Sequence, residues 1–200
     1  MTVEADLVLV ETRLSSGQLA CPSCRETLRP WGWARPRSVH GIAGPLTPGR
    51  ARCSGCLLTH VLLPVTVLLR RAYAADVIGA ALSGRSGGVG HRSIASQLSV
   101  PAGTVRGWLR VMAARLERVR VFLLQVAHRA AVDLRVPDSL GCPWRDLLAA
   151  LGAATAAVTG RFGVLGVLGP VTGWQVAVAC SAGRLLAPGW PPADRHTSRP

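Results

Sequence analysis

Lysine is missing from this chain: all 23 of its basic side chains are arginine. Acids are scarce as well, ten Asp and Glu in 200 residues, which leaves a net charge of +13. The absence of lysine beside abundant Ala, Gly and Val matches a GC-rich coding bias, so Arg in place of Lys carries no function by itself. The shortage of acids says more. A two-metal phosphoryl-transfer site needs carboxylates gathered around its ions. The late acids Glu117, Asp133, Asp138, Asp146 and Asp194 fall on expected helices, turns or tail. No nucleotide loop is expected either, because no Gly-Lys-Ser/Thr follows the glycines at 84–88. The opening Met1-Thr2-Val3-Glu4-Ala5-Asp6 lacks the basic start and apolar run of a secretory signal. Cytoplasmic residence at the nucleoid is the expectation.

Against those gaps stands Gly90–Arg110. Ile94 and Leu98 share a helical face with small Ala95 beside them, Ser99-Val100-Pro101 interrupts it, and Val105, Trp108 and Leu109 restart a face. Two short helices crossing steeply need those features, and the spacing predicts a helix-turn-helix whose second helix enters the major groove of DNA. An ordinary helical hairpin is the plainer alternative. Charge favours DNA: Arg85 to Arg135 contains nine arginines against Glu117 and Asp133, a net of +7. Phosphate attracts such a surface through counterion release, and Arg makes forked contacts to phosphate or guanine. The expected contacts are His91, Arg92, Ser93, Thr104, Arg106, Arg110, Arg115 and Arg118.

Four of the six cysteines form two knuckles, Cys21-Pro22-Ser23-Cys24 and Cys53-Ser54-Gly55-Cys56, 28 residues apart. Each short loop aims two thiolates at one ion, the sulfur set of a structural Zn2+ in a ribbon. Disulfides suit a secreted chain, and a redox pair needs a βαβ setting absent here. Arg25 and Leu57 stand where a glycine commonly follows each knuckle. His60 could ligate, but a fifth ligand is unnecessary. Cys142 and Cys180, without a Cys or His neighbour in sequence, read as buried thiols. The spacer Trp31–His40 alternates bulky and polar residues as a strand does.

The knuckles, the exit segment Cys56–Pro64, Arg70-Arg71 with Tyr73, and Gly90–Ala95 through Thr104–Arg110 together resemble a family of small proteins. Those proteins pair an N-terminal zinc ribbon with a helix-turn-helix and are related to the DNA-binding front end of insertion-sequence transposases. The resemblance covers roughly residues 20–120. It implies a DNA-binding protein linked to a mobile element or to transcription, and supplies no reaction.

The expected fold is mainly α, with a small β zinc ribbon at the N-terminus and a trihelical helix-turn-helix followed by a long helix and C-terminal helices. Residues 1–66 make the ribbon, with a short helix capped by Asp6. Residues 67–135 hold the helix-turn-helix, its first helix over Arg71–Leu82 and a flexible link over Ser83–Gly88. The second motif helix continues unbroken through Val111 to about Val132. Met112, Leu116, Val119, Leu123, Val126 and Ala130 form an apolar seam along it. That seam fits a homodimer through 109–130 or, by slight preference, the chain's own C-terminal helices. Residues 136–187 read as helices Arg145–Val158 and Val171–Ala182, and 188–200 as a disordered tail. Phe162–Gly183 carries no charge, but its glycines argue against a membrane span. Double-stranded DNA is the expected partner, no small-molecule substrate is expected, and the protein is read as non-catalytic. Two alternatives are an accessory subunit or truncated front end beside a separate transposase catalytic subunit, and a membrane-tethered or protein-interaction module.

Overall fold

The structure is a computed structural model that describes residues 1–131, 133–163 and 170–192. It combines helices with small sheets. Strand β1 (Thr2–Val3) comes first, and helix α1 (Leu7–Ser15) follows because Asp6 caps it, its Oδ1 accepting from the amides of Val8 at 2.9 Å and Leu9 at 3.3 Å. Strands β2 (Leu28–Trp33), β5 (Gly49–Cys53) and β6 (Thr59–Val61) make an antiparallel sheet in the order β2-β5-β6. The register pairs Leu28 with Cys53 and Arg52 with Thr59. The spacer between β2 and β5 carries a second pair, β3 (Arg37–Ser38) with β4 (Pro45–Leu46), and β1 runs parallel to β7 (Leu63–Pro64). Val10 and Leu14 of α1 close a small core over this sheet, with Leu28, Ala51, Cys53 and Leu62.

The alternation expected over Trp31–His40 buries Val39 but neither tryptophan. Trp31 and Trp33 are half exposed or more. The register shifts between Pro30 and Trp33, and the Arg52 guanidinium covers Trp31 from 4.7 Å.

Six further helices follow: α2 (Ala75–Ser86), α3 (His91–Leu98), α4 (Ala102–Ala113), α5 (Leu116–Ala130), α6 (Pro143–Gly163) and α7 (Gly173–Cys180). Helix α2 starts later than expected because the backbone before it is engaged elsewhere. His40 donates its amide to Ala72 O and accepts from Ala74 N, both at 2.9 Å, which holds that stretch extended. At its other end α2 runs to Ser86 through most of the expected flexible link, and Gly87-Gly88 end it.

The expected single helix from 102 to about 132 is two helices. It breaks at Ala114-Arg115, where Arg115 has φ −144°. Beyond the break, Val119, Leu123 and Ala127 bury against α6, which presents Leu147, Ala150, Leu151 and Ala154. Val126 and Ala130 are half-buried beside them. The apolar seam is thus covered by the chain's own helix. Helix α7 opens with a capping box, Thr172 and Gln175 each satisfying the other's amide, and its Trp174 lies over Gly79 of α2.

One hydrophobic core extends from Val65 to Trp190, so 67–135 and 136–187 share an interior. Residues 188–192 of the expected tail pack on the core through Trp190. Trp190 is buried edge-on to Phe122, ring centroids 5.0 Å apart, and residues 193–200 lie outside the described residues. Among the described residues no helix is long and apolar enough to cross a membrane. Residues 164–169, which include Gly166 and Gly169 of the uncharged stretch, also lie outside them.

Candidate metal centre and exposed arginine face

Both knuckles fold alike. Cys21 N donates to Glu26 O at 2.8 Å and Cys53 N donates to Leu58 O at 2.9 Å, closing each loop on itself. The residue after each second cysteine is left-handed: Arg25 has φ 68° and Leu57 has φ 61°. Glycine is therefore not required there, although a side chain at such a φ costs about 1–2 kcal/mol. Sheet pairing of β2 with β5 brings the loops together, since each knuckle adjoins an end of that ladder.

The four sulfurs all lie within 4.8 Å of one another. Cys24 to Cys53 is 3.3 Å and Cys21 to Cys56 is 3.7 Å. An ion held tetrahedrally at about 2.3 Å from each sulfur needs edges of about 3.8 Å, so the cluster fits a metal ion with little adjustment. Cys21 and Cys53 are buried in the small core, whereas Cys24 and Cys56 face solvent. Burial opposes the Cys21 thiolate, but the amides of Cys24 and Ser23, with His60 and Cys56, outweigh it and bring its pKa down to about 5. At Cys56 the Leu58 amide pulls the other way, while burial and three neighbouring sulfurs push the thiol up to about 12. Four sulfurs this close cannot all ionise without a cation among them. His60 Nε2 sits 3.4 Å from Cys21 Sγ, where it hydrogen-bonds a sulfur of an already four-membered ligand set. Cys142 and Cys180 are half-buried and outside the cluster.

The joint between sheet and helices is aromatic. His40 Nε2 donates to Leu98 O at 3.1 Å and its ring lies 5.6 Å from Tyr73, which meets Trp108 edge-on at 4.9 Å. Sequence reasoning missed His40; its place in a spacer loop carried no local signal for this contact.

Between α3 and α4 the chain turns through Ser99, left-handed at φ 52°, while Val100 plugs the core and Pro101 precedes α4. Ile94, Ala95, Val105, Trp108, Leu109 and Met112 face inward. Facing outward are Arg92 and Ser93 of α3 and Arg106 and Arg110 of α4, with His91 and Thr104 half-buried at the edge. Gly103 and Gly107 lie one turn apart on α4, and a Cβ at either would meet nothing within 4 Å. Neither glycine is needed for packing.

Arg118 is exposed, but Arg115 is not placed with it. Its Nε donates to Val111 O at 3.0 Å, and its Nη1 donates to Ala187 O at 2.7 Å and to Trp190 O. Arg71 Nη2 adds a bond to Leu186 O at 2.9 Å. Arg115 therefore clamps the C-terminal segment, and burial first, then Arg118 and Arg71, lowers its pKa. No protein-family model, curated protein or solved structure matches this chain, so its function must be argued from these residues and their geometry.

Proposed function

We propose that this chain is a non-catalytic DNA-binding protein, linked to a mobile element or to transcription. In it a zinc ribbon braces a trihelical helix-turn-helix made by α2, α3 and α4. The observation that carries this is the outward face of α3 and α4. One side of the pair is wholly apolar and buried, and the other offers arginines at 92, 106 and 110 with polar groups at 93 and 104. A helix that docks in the major groove needs that division, and it reads bases with the first turns of its exposed side. Gly103 and Gly107 suit the same role, because a bare backbone lets the duplex approach closely and leaves base contact mainly to Arg106.

Zinc is the ion that a four-cysteine set of this spacing and compactness takes most readily in a protein. Its role is structural: four protein sulfurs leave no open position for substrate. Cys21 and Cys53 belong to the small core over the ribbon, so ion binding and folding of that part are one process.

Selection of bound sites from random duplex DNA tests the proposal. Expected is an enriched motif dependent on Arg106, with two-fold symmetry only if the protein binds as a dimer. No enrichment, together with no duplex binding at low salt, rejects it.

A further inference from the structure

A second basic site lies away from the α3–α4 face, in a cleft of about 830 Å³ where the cysteine sheet, the segment after β7 and the end of α7 meet. Four arginines line it, Arg35 and Arg37 from the spacer, Arg70 before α2 and Arg184 after α7, together with Thr59 and His60. No Asp or Glu lines it. None of the four arginines forms an ion pair with an acid among the described residues.

Arg37 is the telling member. Its Nε and Nη2 are shut off from solvent and have no hydrogen-bond partner. Buried guanidinium hydrogens left unpaired are costly, and most proteins pair them. Three more arginines line the same hollow, with no acid paired to them among the described residues. Arg70 is held left-handed at φ 58°, a conformation that a non-glycine residue adopts only at some cost. Those hydrogens are shut off from the cleft as it stands, so an anion with several acceptor oxygens would pair with them once the Arg37 side chain turns outward, and it would offset the clustered positive charge.

We propose that this cleft is a phosphate-binding site, taking a phosphoryl group either from a nucleic-acid backbone or from a free di- or polyphosphate. It does not depend on the α3–α4 face, and a free ligand would be a small-molecule partner that the sequence does not predict.

Inorganic pyrophosphate is the probe, titrated calorimetrically into the full zinc-loaded chain. Expected is saturable binding that weakens about tenfold or more in Arg37→Gln and in Arg70→Gln, the range set by losing a hydrogen bond to a charged donor. Arg70 is exposed, so its variant keeps the fold should Arg37→Gln fail to. Pyrophosphate should raise the parent's Tm by more than that of either variant.

Duplex DNA then separates the sources. If DNA displaces pyrophosphate and Arg37→Gln reduces the salt dependence of DNA binding, the phosphate is the backbone's. If both bind together, it is a free one. Failure of the parent chain to bind pyrophosphate, or equal binding by Arg70→Gln, overturns the site. The α3–α4 reading stands or falls separately, by Arg106 and site selection.

Discussion

At the scale of single residues, neighbours in sequence do opposite work. Trp108 and Arg106 sit two apart on α4, one buried against Tyr73 and the other exposed. Trp108→Ala should destabilise by about 3–5 kcal/mol, as large aromatic truncations in cores do, and a thermal melt reads it. Arg106→Ala should melt like the parent and relax the selected site, with about 1–3 kcal/mol of discrimination lost if its contact is a forked one to guanine. An unchanged site in that variant would refute the assignment of α4 as the reading helix. Arg115 and Arg118 make a similar contrast. Arg118→Ala and Arg92→Ala should each flatten the logarithmic salt dependence of DNA binding by about one unit. Arg115→Met should leave that slope alone and instead destabilise the fold by about 1.5–3 kcal/mol, the worth of a hydrogen bond to a charged group. A slope change in Arg115→Met would return that residue to the DNA surface.

Among the elements, the helices depend on one another at crossings that local sequence does not announce. Gly79 sits inside α2, where glycine weakens a helix by about 1 kcal/mol relative to Ala. It is tolerated because a Cβ there would overlap the indole of Trp174. Gly79→Ala should therefore destabilise despite its better helix propensity, by about 1–3 kcal/mol, the usual cost of overpacking. Trp174→Ala should relieve much of that cost, and a double-mutant cycle measures the coupling. Additive effects would mean that the α2–α7 crossing is looser than the geometry indicates. Gly103 and Gly107 provide the control. With open space where a Cβ would go, Gly103→Ala should stabilise α4 by about 1 kcal/mol while weakening any close approach of DNA.

For the whole molecule, three buried clusters lie side by side: the large helical one, a third of Val39, Leu46, Leu63 and Val67 next to the His40–Tyr73–Trp108 contact, and the one under the ribbon. The ribbon cluster has the four cysteines in its wall. Chelation should loosen the sheet, shifting the fluorescence of Trp31 and Trp33, and leave most of the helical circular dichroism in place. Metal analysis of protein purified without added zinc should find about one equivalent per chain, as a four-sulfur site requires. It should find none in Cys53→Ser. Persistence of the metal in that variant, or a chelated protein with unaltered fluorescence, contradicts a structural role.

Much of this was readable in the chain because it is local. Two thiols separated by two residues meet whatever the rest does, and an Asp ahead of an apolar-periodic run caps a helix using its own amides. The Ile94–Leu109 pattern likewise determines which sides of α3 and α4 are buried. Net charge, the acid shortage and the ligand set follow from composition and spacing alone. Other features were decided only by distant parts of the chain. The helix ends at Ala114 although nothing nearby stops it, and the guanidinium that follows is claimed by carbonyls more than seventy residues later. The seam on α5 suited a second copy or the chain's own helices, and α6 supplies the apolar face that covers it. Arg35, Arg37, Arg70 and Arg184 look like scattered surface charge in one dimension, and only the meeting of sheet, connector and α7 gathers them around one hollow. Sequence spacing determines contacts within a turn or a knuckle, whereas long-range packing decides where a flexible, charged side chain finds its partner, or fails to find one.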